Sequence, residues 1–209
     1  MSKTPDNSER SYRRQDERPD SEFYSVPRLV KHIDDRAIAE VTRLYRELLP
    51  AGGEVLDLMT SWVSHLPKDV SYARVAGLGM NEEELRSNPR LDDYVIHDLN
   101  EKPALPYANN EFDAAAICVS VDYLTRPVEV LRDLGRAVRS GGPVIATFSN
   151  RCFPTKVVSE WLRRDDRGRM ALVEEYLREA GNWSGIRSLD RSPDHPFADP
   201  LYAVTARST

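Results

Sequence analysis

The sequence has little of what marks several large classes of protein. Its 209 residues include two cysteines, Cys118 and Cys152, far apart and without a C-x-x-C. Neither a zinc knuckle nor a redox pair is indicated, and reduced thiols in a packed interior are expected. No apolar run approaches the length of a membrane span, and the N-terminus is polar where a signal peptide needs an apolar centre. The chain therefore reads as cytoplasmic, with no membrane partner. The net charge is -5, and the longest basic block is the one at Tyr12-Arg13-Arg14, so nothing supplies an electrostatic grip on a polyanion and no nucleic acid is indicated. The four histidines, His32, His65, His97 and His195, form neither H-x-x-x-H nor H-E-x-x-H, which leaves no metal site to expect. There is no G-x-G-x-x-G to let a pyrophosphate approach the backbone, and Ser120 is not in a G-x-S-x-G elbow. Internal repeats are absent as well.

What the chain does have is alternation. Met1 to Glu22 is dense in Ser, Arg, Asp, Glu and Pro, cannot bury enough apolar surface to offset its ordering entropy, and is expected to be a disordered tail. Residues 23–209 are expected to form one domain. Val30, Ile33, Ala37, Val41, Leu44 and Leu48 recur in steps of three and four, the stripe of a long helix that Pro50 and Gly52-Gly53 end. Strand-like runs follow at Glu54 to Leu58, Tyr72 to Leu78, Asp93 to Ile96, Ala114 to Val121 and Pro143 to Phe148. A helix opened by Pro127 buries Leu131, Leu134 and Val138 and is stopped by Ser140-Gly141-Gly142. Two further helical stretches, Val157 to Arg163 and Met170 to Ala180, lead into strands at Trp183 to Leu189 and Leu201 to Ala206. The pattern predicts an α/β fold, a doubly wound and mostly parallel sheet closed by an antiparallel C-terminal strand.

In an open sheet of this kind, ligands lie beyond the carboxyl ends of the strands where strand order reverses. That selects Asp57, Leu58, Met59, Thr60 and Ser61 after the first strand and Gly79, Met80 and Asn81 after the second. After the third it selects His97, Asp98, Leu99 and Asn100, and after the fourth Val119, Ser120 and Val121. The first loop, in "VLDLMTSWVSHLP", contains no glycine. Asn81 has two readings, a ribose ligand or the N-cap of a capping box closed by Glu84. Trp62 either walls a pocket or packs under the following helix.

Leu105-Pro106-Tyr107, Phe112-Asp113, the helix from Pro127 to Val138 and Ser140-Gly141-Gly142 stand in one order at characteristic spacing. In this the chain resembles the class I S-adenosylmethionine-dependent methyltransferases, in particular the small-molecule enzymes called type 11, over roughly Leu48 to Asn150. The resemblance implies S-adenosylmethionine as cofactor and a small-molecule acceptor. It further implies that Asp57 organises the first loop, that Asp98 and Leu99 meet the adenine, and that Ser120 lies beside the methionine part. The sequence departs from the family where loop glycines stand, at Met59, Ser61 and Val63, and where an acidic residue commonly ends the second strand, at Gly79. The Asn-Pro-Pro-Tyr type of motif that marks methylation of bases is absent after the fourth strand. If the acceptor must lose a proton, Asp122, Tyr123 and His32 are the candidate bases, and Asn150 and Arg151 are placed to line an acceptor pocket. The alternative is a non-catalytic domain that keeps the sheet and has lost normal cofactor binding.

Overall fold

The apolar runs of this chain pair side by side. In the computed structural model, which describes residues 12–209, seven strands form one sheet: β1 (Glu54–Leu58), β2 (Arg74–Gly79), β3 (Asp93–Ile96), β4 (Ala114–Cys118), β5 (Pro143–Phe148), β6 (Trp183–Asp190) and β7 (Tyr202–Ser208). Their order is β3-β2-β1-β4-β5-β7-β6. Strands β1 to β5 are mutually parallel, and β7 runs antiparallel to both β5 and β6. This is the predicted doubly wound sheet with an antiparallel C-terminal strand.

Both faces of the sheet are covered, which is why its strands read as near-continuous apolar runs. Leu56, Leu58, Leu78, Ile117 and Phe148 pack on one face with helices α4 (Pro127–Ala137) and α6 (Asp166–Ala180). Val55, Val75, Ala116 and Ile145 pack on the other with α2 (Asp35–Leu48). Strand residues thus alternate between two cores, with the period of two that pleating imposes. The remaining helices, α1 (Asp20–Phe23), α3 (Glu82–Ser87) and α5 (Ser159–Leu162), are short.

Three boundaries differ from expectation, each for a local reason. Helix α2 starts at Asp35, not near Val30, because the Asp34 side chain accepts from the Ala37 amide and caps it there. Val30 is left 55% exposed, outside the helix. Strand β4 stops at Cys118, since Val119 turns to a φ of 45° and a 3-10 turn follows at Val121–Tyr123. The stretch from Val157 to Arg163 is helical only at Ser159–Leu162.

The largest departure concerns the expected disordered tail. Its first eleven residues lie outside the described residues, but Tyr12 to Glu22, although mostly exposed, is anchored through the buried Asp20. Asp20 is 5% exposed and the Arg14 side chain 7%. Arg14 bonds both Asp20 carboxylate oxygens, at 2.7 and 2.8 Å, and the fully buried Lys156 ammonium lies 3.1 Å from the same group. Polar composition argues for disorder only while the charges stay solvated; here oppositely charged groups satisfy one another. Residues 12–34 form a strap across the carboxyl edge of the sheet.

Candidate functional site

Strand order reverses between β1 and β4, and the carboxyl ends of β1 to β4 open there into one cavity of about 300 Å³, roofed by the strap. That volume is at the lower end of the roughly 300–1,000 Å³ usual for small-molecule sites. Every position expected from the strand ends lines it except Leu58 and Val121, whose side chains are buried in the core beneath.

Asp57, the penultimate residue of β1, is 4% exposed and accepts hydrogen bonds from the Thr60 hydroxyl, at 2.7 Å, and from the Ser64 hydroxyl. Burial pushes its carboxyl up to about 6, against the two hydroxyls, which pull it down. The first loop keeps a glycine-like turn without a glycine, because Met59 itself holds a φ of 60°. Such a conformation costs a non-glycine residue about 1–3 kcal/mol. Across the cavity, Val119 takes the same left-handed region, an outlier for a β-branched residue. Strain thus sits on both sides of the switch point, where backbone must turn sharply to form the cavity wall.

The end of β2 is occupied differently from what the family pattern implies. A Cβ at Gly79 would lie 2.4 Å from the Thr60 carbonyl oxygen, and the Thr60 amide donates to Leu78 at 2.9 Å. The first loop therefore fills the space where an acidic side chain would stand. Met80 follows on the cavity wall. Asn81 is the cap of α3: its carbonyl oxygen accepts from the Glu84 amide at 3.1 Å, and its amide donates to the Tyr24 and Ser25 carbonyls. The capping box is only half made, because Glu84 turns away and accepts from the Ser61 hydroxyl at 2.5 Å and the Arg28 amide at 2.6 Å.

After β3, Asp98 accepts from the Asn100 and Glu101 amides, a turn, while Leu99 is 4% exposed. Asn100 faces Asp20, Tyr123 and Thr125 with both ends of its amide engaged. After β4, Ser120 is 8% exposed and its hydroxyl has no partner. The Tyr45 hydroxyl, from α2, is buried and unpartnered in the same wall. Among the described residues, these are the two unpartnered buried side-chain polar atoms that face this cavity, where a ligand can engage them.

Of the three candidate bases, His32 and Tyr123 line the cavity and Asp122 does not. Burial lowers the His32 pKa, so its ring is neutral at pH 7. Burial raises that of Tyr123, whose hydroxyl oxygen accepts from the Phe153 amide at 2.8 Å. Asp122, 3% exposed, is pushed up by burial to about 7, well above its ordinary 3.8. Between those values the folded state holds a proton that the unfolded state has lost, so this group's contribution to stability falls as pH rises through the window. Asp122→Asn removes the dependence. In melting experiments from pH 5 to 8 the variant should gain on the parent by roughly 2 kcal/mol, and a constant difference would refute the assignment.

Trp62 both walls the cavity and donates its indole N–H to the Val30 carbonyl at 3.0 Å. Arg151 lines the mouth while paired with Asp199 at 2.7 Å; Asn150 is not among the lining residues. Sequence reasoning missed Tyr45, Cys118 and Asp20, whereas Phe153 lies in the stretch after β5 that it placed at the acceptor pocket. For Tyr45 the available signal was a polar-tipped aromatic within the buried stripe of α2, which burial alone explains equally well.

The sequence profile of a methyltransferase domain matches residues 59–146. No curated protein sequence matches the chain. Among solved structures, an S-adenosylmethionine-dependent methyltransferase from Mesorhizobium loti is similar at 16% identity and a TM-score of 0.57, covering 80% of this chain and 97% of that one. The (4+2)-cyclase SpnF is similar at 17% identity and a TM-score of 0.58, over 80% and 79% of the two chains. Phosphoethanolamine N-methyltransferase 2 from Haemonchus contortus, solved with S-adenosyl-L-methionine, is similar at 13% identity and a TM-score of 0.58, over 81% and 52%. At such identities the likeness speaks to fold, and a cyclase among the three shows that this fold carries more than one chemistry. Among the described residues, no helix is long and apolar enough to cross a membrane and no cluster of three metal-ligating side chains occurs. Strand order and shared fold are those of the class I S-adenosylmethionine-dependent methyltransferases, and the segment from 59 to 146 matches the profile of a methyltransferase domain.

Proposed function

We propose that the protein is an S-adenosylmethionine-dependent methyltransferase acting on a small-molecule acceptor. The observation that carries this reading is the roofed cavity at the switch point, with the unpartnered Ser120 hydroxyl in its wall. The residues fit the cofactor: Asp98 and Leu99 stand for the adenine end, and Ser120 and the Met59 turn for the methionine end. When bound, the cofactor supplies an activated methyl group. The chain's own contribution is to hold the acceptor in line and exclude water, with Tyr24, Trp62 and Phe153 walling the mouth. Direct methyl transfer needs no obligatory acid or base. Where the acceptor carries a proton to be lost, His32 is the neutral group at the mouth able to accept it.

One observation favours a second reading, a non-catalytic binding domain. The space at Gly79 is filled by Thr60, so the end of β2 presents no carboxylate to a ribose. Calorimetric titration with S-adenosylmethionine, S-adenosylhomocysteine and NAD separates the two. Saturable binding of the first two ligands, none of NAD, and a thermal shift equivalent to about 2.7 kcal/mol at a hundredfold excess over Kd are expected. Absence of heat and of any shift at millimolar ligand would leave only the non-catalytic reading.

A further inference from the structure

The side-chain hydroxyls of the first loop are engaged. Its Thr60 and Ser64 hydroxyls bond Asp57, its Ser61 hydroxyl bonds Glu84, and its Thr60 amide bonds Leu78. A ligand carboxylate arriving beside this loop finds no free hydroxyl there and no cation on the loop itself. Arg28 of the strap is next to it. A single carboxylate, that of Glu84, holds the Ser61 hydroxyl and the Arg28 amide together, and the Trp62 indole bonds Val30 two residues on.

The Arg28 side chain is half-buried, lines the cavity, and forms no ion pair among the described residues. Its guanidinium is held 4.3 Å over the Phe23 ring, with the Phe153 ring at 5.6 Å. Two of its five N–H donors reach backbone carbonyls, those of Val26 and Phe23. The other carboxylates of the cavity are already matched: Asp20 by Arg14 and Lys156, Asp57 by two hydroxyls, and Asp98 by a turn. The other cations at the mouth, Lys31 and Arg151, have Asp35 and Asp199. Arg28 alone in this lining is a fixed cation without a counter-charge.

We infer that Arg28 is the carboxylate receptor of this cavity, supplying the charge that a first loop with its hydroxyls engaged does not, and that the anion it meets is the amino-acid end of the cofactor. The inference rests on the methyltransferase reading above. A guanidinium presents a planar fork matched to a carboxylate, and its aromatic platform limits the freedom lost on binding.

The test compares S-adenosylhomocysteine with 5′-methylthioadenosine, which keeps the adenosine and the thioether but lacks the amino-acid end. Calorimetry on the full chain should show the parent protein favouring S-adenosylhomocysteine. Arg28→Ala should weaken that ligand about 10- to 100-fold while leaving methylthioadenosine binding unchanged, which also reports that the variant is folded. Arg28→Lys should recover part of the loss. An unchanged ratio of the two affinities in Arg28→Ala overturns the inference, as does a parent protein that binds both ligands equally. Failure of the parent to bind either ligand would instead overturn the methyltransferase reading itself.

Discussion

Replacing Asp20 by alanine should lower the free energy holding the strap closed by about 3 kcal/mol, read as a roughly 100-fold loss of amide-exchange protection confined to residues 12–34. The carboxylate is 5% exposed and accepts from Arg14, Lys156 and Asn100, which tie the strap to the segment after β5 and to the loop after β3. Burial raises its pKa, but the bonds from Arg14 and Asn100 outweigh burial and the net direction is down. The stabilisation is therefore present above the unfolded carboxyl's pKa and is lost as pH falls through the folded one. Removing the anion leaves the Lys156 ammonium, which has no exposure at all, and the Arg14 guanidinium without their main partner. Lys156 keeps bonds to the Asp16 and Arg18 carbonyls, which places the cost at the lower end of the 3–5 kcal/mol seen for broken buried pairs. The sheet's own amides should stay protected, because Ile33 is the strap's one buried member of a core cluster and Tyr12 only packs against the edge of the other. Uniform loss of protection across β1, β4 and β5 would show that the clasp supports the whole fold and not the roof of the cavity.

Gly79→Ala should destabilise the protein by about 3 kcal/mol, the upper end for overpacking. The added Cβ would meet the Thr60 carbonyl oxygen at 2.4 Å and the Leu85 side chain at 3.0 Å. The first contact is with backbone that is itself hydrogen-bonded to the end of β2, so relief requires the loop to lift. Gly79→Asp carries the same clash plus a charge. Restoring the acid that the family pattern places at this position should therefore weaken S-adenosylhomocysteine binding, contrary to a motif-based expectation. Melting curves for both variants and titration of Gly79→Asp check this; parental stability and higher affinity in the Gly79→Asp variant would show that the loop yields without cost.

The strands were legible residue by residue. Glu54–Leu58, Asp93–Ile96 and Pro143–Phe148 stand where apolar periodicity placed them, because burial against neighbouring strands and helices leaves a local signature in residue type. The same holds for the helix opened by Pro127 and for the set of positions around the cavity, which follow from strand order alone. Asn81 was ambiguous between cap and ligand, and only the contacts decided it: the amide spans α3 and the strap. The first part of the strap, Tyr12 to Glu22, was read as disorder because its stabilising pairs are non-local. Asp20 finds Lys156 and Arg28 finds the Glu84 carboxylate from far along the chain, and composition carries no record of such partners.

The opening strand with Asp57 and the downstream helix determine an open, mostly parallel α/β sheet with a cavity at its switch point, and their likeness to the class I methyltransferases adds the strand order that puts it between β1 and β4. Local pattern suffices there, since periodicity, capping and chain direction act on neighbouring residues. Whether the glycine-free loop keeps a glycine's turn, whether its hydroxyls are free, and what fills the space at Gly79 were decided only in three dimensions. Met59 turns to a φ of 60°, the hydroxyls close on Asp57 and Glu84, and Thr60 lies against Gly79. Those outcomes depend on contacts between segments that are remote in sequence, and packing, not propensity, selects them.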